Sequence, residues 1–178
     1  MKIIKLLFCC LLLALPFSVK AQSGSEANTA DSVKKFVQGF YDWYVPKALS
    51  SRSSPAWSTA VKEKGNCFSP ELGRKLREDS EAQAKAEGEI VGLDFDPFLN
   101  GQDPGRHYSV GKVVPKCESY LVEVRRVVSG KSEGKLTVTA EVTGKSGRWY
   151  FVSFLYPNDH NLLGVLRALK DERDKPNP

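Results

Sequence analysis

Leu93-Asp94-Phe95-Asp96-Pro97-Phe98-Leu99-Asn100-Gly101-Gln102-Asp103-Pro104 divides this chain in two. Before it, apolar residues recur at helical spacing; from Arg106 onward the period changes to two. The stretch combines aspartates, amides, prolines and two phenylalanines, and Pro97, Pro104 and Asn100-Gly101 make it irregular. That composition exceeds what a plain connector needs, so a site is expected here.

Upstream, Val33, Phe36, Val37, Phe40, Tyr41 and Tyr44 form one helical face. Asp31 or Ser32 is the expected cap, and Pro46 is expected to end or kink the helix near Val45. Trp43 sits at the edge of this stripe. It serves either packing or, with Tyr41 and Tyr44, a pocket wall. Residues 49–55 read as a loop and 56–64 as a short helix carrying Trp57 and Val61. Ser69-Pro70-Glu71 is a helix start, with serine at the N-cap and proline at the first helical position. The helix it opens should run to about residue 87, with Gly88 as its C-terminal cap. Its thin stripe, Leu72 and Leu76, places it on the outside with one face packed. Residues 89–93 read as a short strand.

Downstream, residues 108–114, 120–128, 135–143 and 148–156 read as strands, with turns at 129–134 and 144–147. Asp159 or Asn161 caps a last helix with Leu162, Val165, Leu166 and Leu169 on one face. Helices, then about four strands, then a helix is an α+β order. The expected architecture is a curved antiparallel sheet wrapped over the N-terminal helices as a cone, with a pocket between them.

Residues 1–21 read as a signal peptide: a basic Met1 to Lys5, an apolar Leu6 to Pro16 and a Val19-Lys20-Ala21 cleavage site. Phe8 before Cys9 breaks the lipoprotein pattern, so no stable membrane anchor is expected, and the location is periplasmic or secreted. Residues 22–30 read as a disordered leader and 31–174 as one domain. Cleavage removes Lys2, Lys5 and Lys20 and no acids, taking the net charge from +5 to +2. Bases and acids are interleaved, which argues against a nucleic-acid face. Only Cys67 and Cys117 remain, and two cysteines in an exported chain read first as one disulfide. Closing that loop of about 50 residues would stabilise the fold by roughly 4 kcal/mol.

Several motifs fail on context. Gly130-Lys131-Ser132-Glu133-Gly134 matches a nucleophile elbow but lies between strands, where no strained strand-to-helix turn exists. The Gly-Lys-Ser triplets at Gly130 and Gly144 lack the earlier glycine of a phosphate loop. Counted as a calcium loop from Asp94, the sixth position is Leu99 and the twelfth Gly105, so the pattern breaks. No metal or cofactor is expected. Acid–base chemistry stays open: in an extended segment Asp94 and Asp96 share a side, which would raise one carboxyl pKa, and His107 could partner it. The alternative use of such aspartates is to tie down backbone N–H groups in short turns.

Four segments together resemble a bacterial exported family known as DUF3828, defined without an assigned function. They are Phe36-Val37-x-x-Phe40-Tyr41-x-Trp43-Tyr44, Phe68-Ser69-Pro70-Glu71-Leu72, the 93–103 stretch, and Trp149-x-Phe151-x-x-Phe154-x-Tyr156-Pro157. The resemblance implies an NTF2-like or cystatin-like α+β cone, a fold that hosts enzymes and binding domains alike.

Three readings of function follow. The first is a non-enzymatic binding or interaction module, with Tyr41, Trp43, Tyr44, Asp94, Asp96, Asp103 and His107 as candidate ligand-binding residues. Its partner would be a small molecule or a cell-envelope protein. The second is a small hydratase, isomerase or hydrolase using Asp94 or Asp96. The third is an inhibitor or immunity-type protein that offers a surface.

Overall fold

The computed structural model describes residues 22–51, 54–86, 88–128, 131–132 and 136–175. The expected signal peptide lies outside these residues. Among these residues four α-helices, α1 (Gln22–Ser50), α2 (Ala56–Glu63), α3 (Pro70–Lys85) and α4 (Leu162–Arg173), and a 3-10 turn (Gly65–Cys67) accompany an antiparallel sheet. The sheet holds β1 (His107–Lys116), β2 (Ser119–Val128), β4 (Val138–Lys145) and β5 (Arg148–Leu155) in the order β1-β2-β4-β5. A two-residue β3 (Lys131–Ser132) folds back on the end of β2. The α+β class and the order of elements are as the sequence implies.

Two expectations for α1 are corrected. The supposed leader is helical from Gln22. Its Glu26, Ala27 and Ala30 propagate a helix readily once the face beyond them is anchored. Ser32 is no cap; its hydroxyl accepts a hydrogen bond from the Trp149 indole at 3.0 Å. Nor does Pro46 end the helix, which continues through it to Ser50. Pro46 is exposed, whereas Val45 is buried and Ala48 packs on the core. Side-chain burial on both sides outweighs the one backbone bond a proline removes.

The inner face of α1 is Val33, Val37, Phe40, Tyr41 and Tyr44, all buried. Phe40 is the centre of the core. Its ring stacks on Tyr44 at 5.5 Å and meets Phe68, Phe98 and Phe151 edge-on at 5.8, 5.4 and 4.9 Å. Rings therefore fill the interval between α1 and the sheet where the sequence reading had placed a pocket. Trp43 lies half-buried at the rim of this cluster against Phe40 and Tyr44, with the ammonium groups of Lys47 and Lys64 at 4.9 and 5.2 Å from its ring. At the other side of α1, Gln38 reaches β1: its Nε2 donates to Tyr108 O and its Oε1 accepts from Val110 N.

The sheet pattern is the alternation read from the sequence. Val138, Ala140 and Val142 of β4 are fully buried, with Thr139, Glu141 and Thr143 between them half-buried. Lys145 pairs with Arg148, so the β4–β5 turn is Ser146-Gly147, with φ of +51° and +73°. Both signs suit a two-residue hairpin. Ser69 and Asn161 cap α3 and α4 through Leu72 N and Gly164 N.

The expected Cys67–Cys117 bridge is not formed; both thiols are free. Cys67 precedes Phe68, which bridges to Phe151 on the edge strand β5. Cys117 occupies the β1–β2 turn, exposed, at φ +49°. With strands about 4.8 Å apart, β4 and β2 stand between the two cysteines, beyond the ~7 Å Cα separation a disulfide tolerates.

Candidate functional site

The 93–104 stretch leaves α3 through a segment held by side chains. Residues 89–93 form no strand, contrary to expectation, because their backbone groups are bonded otherwise. Gln83 Oε1 accepts from Val91 N and Gly92 N, each at 3.0 Å, and its Nε2 donates to Glu89 O at 2.8 Å. Asp79 Oδ2 accepts from Leu93 N at 2.9 Å. From α4, Arg173 Nη1 donates to Asp79 Oδ1 at 2.7 Å and to Val91 O at 2.8 Å. Asp79 is fully buried. Gly92 is needed for this closeness: a Cβ there would stand 2.8 Å from Asp79 Oδ2.

Three residues later a second carboxylate turns inward. Asp96 Oδ1 accepts from Phe98 N and Leu99 N at 3.0 and 3.1 Å, and the Tyr44 hydroxyl donates to Oδ2. Asp96 N donates to Gly101 O, and Asn100 at φ +51° closes the turn. Two more tyrosines hold it: Tyr41 donates to Phe98 O at 2.7 Å and Tyr156 to Pro97 O at 3.1 Å. The turn drives Phe98 and Leu99 into the core, where Phe98 stacks on Phe68 at 5.4 Å. Of the two uses foreseen for these aspartates, the one observed at Asp96 is the backbone-binding turn.

Burial pushes the Asp96 carboxyl up to about 6, against the hydrogen bonds from Tyr44, Phe98 and Leu99, which pull it down. The cause is desolvation; sharing a site with Asp94, as the extended reading implied, is not part of it. Burial and the Asp96 charge likewise raise the Tyr44 hydroxyl far above its ordinary value.

The candidate residues thus separate. Tyr41, Tyr44 and Asp96 meet in one hydrogen-bonded cluster. Trp43 stays outside it beside two lysines. Asp94, Asp103 and His107 are exposed, and His107, opening β1, lines neither cleft described below. Asp79, Gln83, Arg173 and Tyr156 were not among the candidates. The signal for the first two was the row Leu72, Leu76, Asp79, Gln83, which carries the buried stripe of α3 on with polar residues.

Open clefts flank the turn. One, of about 690 Å³, lies toward β4 and is lined by Asn100, Asp103, Tyr108, Arg126 and Thr137 among others. The other, of about 600 Å³, lies toward α2 and is lined by Trp57, Ile90, Leu93, Phe95, Asp94 and Asp96 among others. Gly101 and Gln102 form the ridge between them. Among the described residues no three His, Cys, Asp or Glu side chains converge as metal ligands, and no helix is long and apolar enough to cross a membrane. Comparison with protein-family models, with curated proteins and with solved structures gave no match for this chain.

Proposed function

We propose that this protein is an exported, non-catalytic recognition domain that binds its target at the 93–104 turn and the clefts beside it. The observation that carries this reading is the commitment of Asp96. This half-buried carboxylate has Oδ1 filled by two loop amides and Oδ2 engaged by Tyr44, so it holds the 93–104 ridge in place. Export is supported by the signal-peptide pattern of residues 1–21. The likeness to DUF3828 rests on the four sequence segments alone; in the fold they pack together, with Phe40 in ring contact with Phe68, Phe98 and Phe151.

A second reading is favoured by one specific observation. A carboxyl titrating near 6 on a cleft wall suits proton transfer, and Oδ2 retains a lone pair beyond its bond to Tyr44. One experiment separates the two. The mature protein is screened against a small-molecule library by amide NMR, and hits are recovered for mass analysis. Recognition gives saturable shifts around Asp94, Gly101 and Gln102, with every ligand recovered unchanged. Chemical conversion of a hit, abolished in Asp96→Asn, would establish the enzyme reading instead.

A further inference from the structure

Among its described lining residues, the α2-side cleft combines an apolar wall with charge of one sign. Trp57, Leu93, Phe95, Pro55, Pro104 and Ile90 give it apolar surface. Ile90 is 76% exposed, the most exposed large apolar side chain among the described residues. It is not there through slackness: Gln83 and Arg173 bind the backbone of Glu89 and Val91 on either side of it. An apolar side chain displayed in water on an anchored backbone, beside a concave apolar wall, is the arrangement of a contact residue.

The described residues lining this cleft include two charged side chains, and both are carboxylates. Asp96 is engaged by its own turn. Asp94 is exposed and enters no ion pair or side-chain hydrogen bond among the described residues; only its backbone carbonyl is used, by Gln102 Nε2 at 3.0 Å. Of the nearby amides, Gln83 is bonded to backbone through both Nε2 and Oε1, and Gln102 through Nε2. An uncommitted anion therefore stands at the edge of an apolar recess whose volume falls in the range of small-ligand sites.

Building on the recognition reading above, we propose that the α2-side cleft binds a small organic ammonium ion. Its hydrocarbon body lies against Trp57, Leu93 and Phe95, and its charge pairs with Asp94. The β4-side cleft does not share this preference, since Arg126 and Asp103 line it together.

The test uses 4-phenylbutylammonium and its neutral counterpart 4-phenylbutanol, titrated into the mature protein under amide and indole NMR. The expected result is saturable shifts at the Trp57 indole, Asp94 and Gln102, with the ammonium binding at least five-fold more tightly than the alcohol. Asp94→Asn, an exposed substitution that leaves the fold intact, should erase that difference while retaining the alcohol's weak shifts. Ile90→Ser should weaken both probes. Equal binding of the two probes, an Asp94→Asn variant that keeps the preference, or shifts confined to other surfaces would overturn the proposal. Failure here with a neutral or anionic library hit in either cleft removes the ammonium assignment and leaves the recognition reading standing. Failure of both probes and of the whole library removes both.

Discussion

Asp79 and Asp96 are two inward-facing carboxylates that hold the two ends of one short segment, and they do it by opposite means. Asp79 is matched by a cation, Arg173, and by one backbone amide. Among the described residues Asp96 has no cation bonded to it; it receives a tyrosine hydroxyl and two amides. The first arrangement keeps a full charge in the interior by pairing it. The second leaves a charge whose desolvation is only partly offset, which is why its proton is held until about pH 6. The ionic clamp should therefore be strong and intolerant of losing either partner, and the hydroxyl–amide clamp weaker and sensitive to pH.

The largest effect is expected at the ionic clamp. Asp79→Ala strands Arg173, whose side chain is 17% exposed, and should cost about 3–5 kcal/mol in urea unfolding. If Asp79→Leu combined with Arg173→Met recovers most of that loss, the penalty belongs to the orphaned charge rather than to the missing bond.

Next comes pH. The folded-state pKa of Asp96 is raised, so the stability tied to its proton is fully present below about pH 4. It is lost as pH rises through about 6, by about 3 kcal/mol in all. Asp96→Asn keeps an acceptor for the amides and removes the proton, so the difference between wild type and variant should trace that window. A difference that stays flat from pH 4 to 8 would refute the account of Asp96.

Tyr44→Phe should follow, with a loss of about 1.5–3 kcal/mol at pH 8, where its hydroxyl bonds a carboxylate, and less at pH 4. Because that bond holds the Asp96 pKa down, carbon-detected NMR should show the carboxyl titrating above about 6 in the variant. Smallest is Tyr156→Phe, about 1 kcal/mol, since its hydroxyl donates to the neutral carbonyl of Pro97.

The contrast between the clamps also marks what the sequence could reveal. Asp96 stood within a few residues of the two amides it binds, though not of Tyr44, and an aspartate before Pro-Phe in an irregular stretch announces a local turn. Ser69 and Asn161 were legible for the same reason, because a cap bonds an amide three residues on. The partner of Asp79 is on another helix near the far end of the chain, and nothing local points to it. Asp79 was also hidden by a habit of reading. A stripe traced only through apolar residues stops at Leu76, although the buried face continues. The cysteine pairing failed because a count of thiols carries no distance, and the strand order sets these two apart. The pocket under α1 failed because the spacing of aromatics shows that they face inward, not whether they leave room.

The amide of Gln38 has a consequence for how this protein behaves in a crowd. β1 is one of the two outermost strands, and an outermost strand offers unpaired N–H and C=O groups to any neighbouring chain. Gln38 fills the acceptor of Tyr108 and the donor of Val110, acting as a fragment of a missing strand. Farther along, the register breaks between Val110 and Val113, and Pro115 has no N–H to offer. One glutamine thus guards the regular half of the edge while irregularity guards the rest. Its loss would be felt less in the folding equilibrium than in solubility, as a sheet free to grow from molecule to molecule.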